Sequence, residues 1–484
     1  MLLGIDQGTT GTRACLVDDG RIVAQAYATH AQHEPHAGWV EHDPDEIWAC
    51  TTHVIAEVLA GGARPVGVAL ANQGETVMIW DARTGRPLHR ALVWQDTRSA
   101  PLVAELAGDA TIAARVRALT GLRLDPYFSA PKLRWLLDEV PQARALAATG
   151  HLRAGTLDTW LVDRLTNGAV FATDASTAAR TLLCDIATAT WSAELCALFA
   201  IPLAILAEIR DTDAGFGACA GHGLDGVPIV ASIVDQPAAL MGQGCVEPGE
   251  AKATFGTGCF VYVNAGQVRP AGTGTLATIA WRRDGVSTYA LDGGVLAVGS
   301  ALSWLSELGL GDTGDLSTGA RRERHDAGVT CVPALVGLGA PHWDRAARGA
   351  WLGISNATTR ADLAGAFVEG LACRVVEVID AIEADAGLAI AELHVDGGLT
   401  RAPALMQLQA DLLGRPVVVA EEDEATVVGA CAIAALRLGL TTLADVHARR
   451  TRSRRRFEPV MSADERAATL LRFRRAIALV RQWG

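Results

Sequence analysis

Asp6-Gln7-Gly8-Thr9-Thr10-Gly11-Thr12-Arg13 gathers two glycines, three threonines, a carboxylate and a guanidinium in eight residues. A tight turn of this composition presents several backbone N–H groups and hydroxyls to one point, which is what a polyphosphate needs. Asp6 stands at the end of an apolar run, where a carboxylate can face a divalent cation, usually through water, and Arg13 can reach a phosphate. Gly/Thr turns also occur in plain hairpins, so this segment alone leaves both readings open. Phe255-Gly256-Thr257-Gly258 repeats the chemistry. Asp396-Gly397-Gly398 follows a short apolar run and precedes a helical stretch, where a backbone can approach a nucleotide closely. No Walker-type Gly-Lys-Ser/Thr is present, so this is not a P-loop protein. Three phosphate-type turns spread along the chain describe a nucleotide held across a cleft.

Transfer of a phosphoryl group to a hydroxyl needs a proton acceptor near the reacting phosphate. Residues 229–236 (IVASIVDQ) end a continuous apolar run on Asp235. A carboxylate at the end of a buried strand, facing a cleft, fits a general base. The same residue fits a helix cap, with Pro237 at N2, and both readings stand on the residues alone.

These groups need rigid elements to hold them. Residues 2–6 and 13–17 predict a hairpin around the first turn, and residues 45–60 a helix leading to a strand from Val66 to Ala71. A second hairpin is expected around Asp81–Gly85, and 227–234 read as a buried strand. The pattern then restarts: a strand ends at Thr254–Phe255, turns at 256–258 and resumes through Val263. Residues 360–386 predict the longest helix, with Thr359 as N-cap, Asp362 three residues on, and Gly387 as its stop. Leu393–Val395 predicts a strand, and Pro403 opens a helix ending near Gly414. Each half thus holds a strand–Gly/Thr turn–strand unit followed by βα units, a duplicated α/β architecture with a cleft between the halves and a boundary near Cys245–Val246.

The bulk numbers agree. A chain of 484 residues exceeds what one core usually spans, so two domains are expected. Half of the residues are hydrophobic and a fifth charged, an ordinary globular balance. The net charge of −12 gives no general invitation to nucleic acid or anionic membranes. The ten cysteines are scattered without Cys-x-x-Cys pairs or zinc spacing, as expected in a reducing compartment. Neither a signal peptide nor a membrane span is read, so the cytoplasm is expected. His30, His33 and His36 are spaced by three but precede a Gly-Trp turn, and they are read as no metal site. The six arginines between Arg449 and Arg456 are read as a solvated edge or a subunit contact. Arginine replaces lysine at all but Lys132 and Lys252, which leaves two readings: a GC-rich genome, or two sites that do not tolerate a planar guanidinium.

At residues 127–139 (YFSAPKLRWLLDE) and 349–369 (GAWLGISNATTRADLAGAFVE) the chain resembles the two signatures of the FGGY carbohydrate kinases, with Phe367 as a departure. DQGTT, GWVEHDP, DPYFS, GTGCF and GLGAPHWD extend the resemblance over about residues 1–460 and bring it closest to the glycerol-phosphorylating branch of that family. The resemblance implies a two-lobed actin-like (ribonuclease H-like) fold, with residues 1–245 holding the substrate and first phosphate turn and 246–484 the nucleotide. It implies ATP and Mg²⁺, a small polyol or sugar as acceptor, no nucleic acid or membrane partner, and a homo-oligomer, dimer or tetramer. Thr9, Thr10, Gly11, Arg13, Thr257 and Gly299 are implied at the nucleotide phosphates, Gly398 by the adenosine, and Asp6 at Mg²⁺. Asp235 is similar to the family's base. Glu75, Tyr127, Asp235 and Gln236 resemble its polyol-binding set, with Trp94 as a pocket wall.

The chain departs from that pattern at several positions. Gly74, in Asn72-Gln73-Gly74-Glu75-Thr76, stands where the glycerol-phosphorylating branch has an arginine for a terminal hydroxyl. Leu296 stands where the resemblance leads to phenylalanine on the substrate wall, and Ser303 and Ala402 replace polar amides expected near the nucleotide. The first two changes enlarge the pocket and remove a charged donor, so a substrate larger than glycerol is expected. The alternative is that a neighbouring side chain or water fills the space and glycerol still binds.

Overall fold

The computed structural model describes residues 1–311, 328–420, 424–451 and 453–483. In the first half, β1 (Leu2–Gln7), β2 (Gly11–Asp18) and β3 (Arg21–Thr29) form an antiparallel meander. Helix α1 (Pro44–Leu59) then leads to β4 (Val68–Asn72), which lies parallel to β1. After a long excursion β5 (Ile229–Val234) adds to β4 in parallel and runs into α2 (Asp235–Gly242). The sheet order is β5-β4-β1-β2-β3. The central strands read as unbroken apolar runs because both faces are covered, by α1 among others on one side and by the helices at the cleft on the other.

The second half repeats this plan. β6 (Ala251–Phe255) and β7 (Cys259–Gly266) form the hairpin, followed by β8 (Leu276–Arg283), β9 (Val286–Val295) and α3 (Gly299–Glu307). Helix α4 (Arg360–Ala386) precedes β10 (Leu393–Asp396), α5 (Pro403–Leu413), β11 (Val417–Ala420) and α6 (Ala425–Arg437). β12 (Ser453–Phe457) and α7 (Ala463–Trp483) complete the chain. The sheet order is β8-β9-β7-β6-β10-β11-β12. Its inner five strands reproduce the order of the first sheet, with β8 and β12 added at the edges. This is the expected duplicated actin-like architecture.

The predicted long helix has its expected bounds, with a reciprocal Thr359–Asp362 capping box and Gly387 at φ 64°. The strand expected from Val66 instead begins at Val68. A second five-stranded sheet combines Gln32–His33 and Glu41–His42, which precede α1, with Val77–Asp81, Ala91–Leu92 and Leu152–Thr156 from the excursion between β4 and β5. It walls one side of the cleft. Among the described residues no helix is long and apolar enough to cross a membrane.

The arginine run is tied down within the chain. Arg450 pairs with Glu250 and Glu392, and Arg456 with Glu392 and Glu458. Arg452 lies outside the described residues.

Candidate functional site

The first phosphate-type turn is closed by Gly8 N–H donating to the Gly11 carbonyl at 2.9 Å. Gly11 is obligatory there, because a Cβ would stand 2.4 Å from the Ala28 carbonyl oxygen and 2.7 Å from the Tyr27 hydroxyl. The turn is also clamped from outside. Gln73 Nε2 donates to Gly8 O at 3.2 Å, and the Trp94 indole N–H donates to Thr9 Oγ1 at 2.9 Å. Thr10 Oγ1 and Tyr27 OH lie 3.1 Å apart. Arg13 leans over the Tyr27 ring and pairs through Nε with Glu424 of the other lobe at 3.0 Å.

On the opposite side, the Gly256–Gly258 turn nests against the start of α3. Gly299 N–H donates to Gly256 O at 3.1 Å, and a Cβ on Gly299 would stand 2.5 Å from that oxygen. The turn after β10 packs on the same place, since a Cβ on Gly397 would meet Phe255 O at 2.4 Å. Gly398 is exposed with open space before it. Thr257, Gly299 and Gly398 therefore line one surface, with α3's N-terminal N–H groups beside it. Ser303 turns its hydroxyl back onto Gly299 O, and Ala402 is the N-cap of α5.

Between the two surfaces lies Asp235. It is the first residue of α2 and Val234 is the N-cap, so Pro237 falls at N3 and not at N2. Its Oδ1 accepts only the next backbone N–H, that of Gln236, at 2.7 Å, and Oδ2 takes the Gln236 amide at 3.3 Å. Burial raises the Asp235 carboxyl, against the pull of Lys252, Gln236 and Arg180. Asp6 is pushed up to about 7 by burial and by its neighbours Asp235 and Glu424, with Arg13 opposing. A carboxyl held at that level by burial and by like charges is one that an arriving cation would ionise, so Asp6 fits a Mg²⁺ brought in with phosphates. Among the described residues no group of three or more His, Cys, Asp or Glu is arranged to hold a metal by itself. His30 packs edge-on against His42.

Glu75 and Tyr127, expected at the acceptor together with Trp94 and Gln236, lie near each other and near Asp235. The Trp94 and Tyr127 rings lie 5.6 Å apart, edge to face. Phe260 of β7 faces Trp94 from the other lobe at 6.5 Å. Phe260 was not singled out from sequence, and Leu296 lies against the Gly258 and Gly339 backbone. Gly74 likewise does not open a simple void, because a Cβ there would already stand 3.0 Å from Val234 Cγ2. Glu75 is buried at φ 59° and its carboxylate accepts from Arg180 Nε at 2.6 Å.

Arg180, Asp292 and Tyr262 were not singled out from sequence, since an arginine, an aspartate and a tyrosine far apart in the chain carry no spacing signal. Both lysines are fully buried. Lys132 donates to the Pro126 carbonyl at 3.2 Å and also to that of Tyr127, and burial lowers it to about 7. Lys252 donates to Gln236 Oε1 and, at 2.8 Å, to Thr254 Oγ1. Each ammonium thus donates to two oxygens inside the protein.

The profile of the FGGY family of carbohydrate kinases, N-terminal domain, matches residues 1–242, and that of the family's C-terminal domain matches 251–438. The chain is 46% identical over 451 residues to a glycerol kinase of Alkalilimnicola ehrlichii, covering 91% of this chain and 90% of that one. Among solved structures it is similar to a Plasmodium falciparum glycerol kinase with ADP, at 32% identity and TM-score 0.94, covering 99% and 98% of the two chains. It is also similar to a xylulose kinase from Brucella ovis, at 26% identity and TM-score 0.87, covering 99% and 98%. Both family profiles together, and a fold shared over its full length, place the chain in the FGGY carbohydrate kinases, phosphotransferases with an alcohol group as acceptor.

Proposed function

We propose that the chain transfers the γ-phosphoryl group of ATP to a hydroxyl of glycerol, in a reducing compartment such as the cytoplasm. The observation that carries this reading is Asp235, close to Asp6 at the end of β1 and to Lys252 of β6, with its carboxylate accepting from Gln236. Residues up to about 245 supply the acceptor pocket and first phosphate turn, and those from 246 supply the nucleotide surface. Every cysteine is a free thiol, nine of the ten buried, which supports the compartment.

In this reading the phosphates lie between the Thr9–Thr10 turn and the Thr257–Gly299 surface. Glu75, Tyr127 and Gln236 hold the polyol, and Trp94 and Phe260 cover its carbon chain. Asp235 accepts the proton of the attacking hydroxyl. Arg13 offsets charge on the phosphates, and Mg²⁺, held by Asp6 together with the phosphates, would neutralise the β- and γ-oxygens. Most of the rate then comes from placing the two oxygens in line, which rigid strand ends and helix starts accomplish.

Glycerol is favoured over the larger substrate expected from sequence because Phe260 restores the flat wall and Val234 crowds the space beside Gly74. A second reading, a four- or five-carbon polyol or ketose, is favoured by Gly74 itself, which leaves no guanidinium for a terminal hydroxyl. An ADP-release assay over C3 to C6 polyols and ketoses decides between them. Glycerol is expected to give the highest kcat/KM. A C4 or C5 compound exceeding it tenfold would establish the second reading, and no activity on any member would remove both.

A further inference from the structure

Arg180 follows the short helix Ala175–Ala178 of the first lobe and is buried, with only 2% of its surface exposed. Its guanidinium has two carboxylate partners on different lobes. Nε donates to Glu75 Oε1 at 2.6 Å, and Nη1 lies 2.7 Å from Asp292 Oδ2. Asp292 is on β9 and faces its cross-strand partner Tyr262 on β7, whose hydroxyl donates to the same Oδ2 at 2.7 Å. The Tyr262 ring in turn lies 5.4 Å from Lys252 Nζ, and Lys252 donates to Gln236 beside Asp235. A continuous series of contacts therefore runs from Glu75 to Asp235 by way of the opposite lobe, and Arg180 is its first cation.

An arginine between two carboxylates could serve stability alone, but two features favour a role at the acceptor site. First, replacing a buried charged pair with apolar groups often leaves stability unchanged or raises it, so such a pair is weak support for a purely structural purpose. Second, Glu75 is held at a left-handed φ of 59°, a conformation uncommon outside glycine, and its side chain turns into the acceptor pocket beside Tyr127. Burial pushes Glu75 up to about 7, and the guanidinium is the main opposing influence. A protonated Glu75 would exchange one acceptor position for an O–H donor and lose its charge. Arg180 also runs past Gly74: its Cγ lies 3.9 Å from where a Cβ on Gly74 would be.

We propose that Arg180 is the positioning residue of the acceptor pocket: it fixes the orientation of the Glu75 carboxyl and, through Asp292 and Tyr262, makes that geometry depend on contact between the lobes. This rests on the polyol-kinase reading above. Arg180 acts through Glu75 and accepts no proton from substrate.

The test is steady-state kinetics on full-length protein with glycerol and ATP varied separately, for wild type, Arg180→Lys, Arg180→Met and Asp292→Asn, with thermal melting of each. Arg180→Met is expected to raise the KM for glycerol about 30- to 100-fold while the KM for ATP stays within threefold. Arg180→Lys should recover only part of this, because an ammonium cannot form both contacts in one plane. Asp292→Asn, which touches no substrate, is expected to raise the glycerol KM about three- to tenfold with kcat little changed. An unchanged glycerol KM in Arg180→Met, or equal losses toward glycerol and ATP, would overturn the proposal. If Arg180→Met does not fold, Asp292→Asn decides, and a wild-type glycerol KM there overturns it. Wild type inactive on the whole polyol panel would instead overturn the kinase reading, and this proposal with it.

Discussion

Gly242 of α2 and Gly429 of α6 meet where the two helices cross. A Cβ on Gly242 would stand 1.9 Å from the Ala425 carbonyl oxygen, and one on Gly429 1.8 Å from that of Ala238. Each helix thus passes over the other's backbone with no room for a methyl group. α2 begins with Asp235, and Glu424 stands just before α6 facing Arg13, so the crossing fixes the separation between the base and the charged groups around the phosphate turn. Gly429→Ala is expected to force the helices apart, costing about 1–3 kcal/mol of stability and lowering kcat more than it raises either KM. Thermal unfolding and kinetics on the same preparation measure both. A variant with wild-type melting and turnover would mean that the crossing tolerates separation.

Asp235→Asn should abolish turnover while leaving nucleotide affinity within a few-fold. The amide keeps the shape but cannot accept the hydroxyl proton, and a general base typically supplies about 10²–10⁴-fold. ADP titration together with single-turnover phosphoryl transfer separates binding from chemistry. More than a tenth of wild-type turnover in the variant would remove Asp235 from the role.

Lys252 is the first-ranked influence lowering Asp235 against its burial. Asp235 must be ionised to act, so activity falls as pH drops through its raised value. Removing the ammonium in Lys252→Met should raise Asp235 further, moving the acid limb of kcat/KM to higher pH by about one unit. A limb that stays in place, with activity retained, would show that Lys252 does not act on Asp235.

Asp6 gives a stability test with a definite sign. Its folded value of about 7 lies above the ordinary 3.8, so between those values the folded state holds a proton that the unfolded chain has released. Stability from this group is present below about pH 4 and is lost as pH rises through 7. Asp6→Asn, free of that titration, should exceed wild type in stability by about 1–2 kcal/mol at pH 8, and the gain should vanish near pH 4. Urea unfolding of ligand-free protein across this range is the measurement. A gain independent of pH would place its cause elsewhere.

Phe260→Ala removes the ring facing Trp94 from the second lobe. The glycerol KM is expected to rise about tenfold or more, since burial of an aromatic face against the carbon chain is lost, and C5 polyols should gain relative to glycerol. Unchanged preference across the panel would mean that Phe260 does not contact the acceptor.

Local signals were strong enough to be read in the chain alone. The Gly/Thr turns, the apolar run ending on Asp235, the Thr359–Asp362 box and Gly387 all depend on contacts within a few residues, so composition and spacing determine them. The repeat of strand, turn and strand at Asp6 and at Phe255 announced a duplicated fold for the same reason. The pocket walls were decided by tertiary structure. Phe260 and Trp94 sit 166 positions apart and meet only because β7 faces the excursion sheet across the cleft. Position 296 is a leucine, so the ring facing Trp94 is that of Phe260, and the fold decides that these two residues meet. Arg180 carried no periodicity or motif of its own, and its meaning arises from two carboxylates brought to it by separate sheets. The crossing of Gly242 and Gly429 was equally silent, because a glycine that admits a distant backbone looks, in sequence, like any glycine near a helix end.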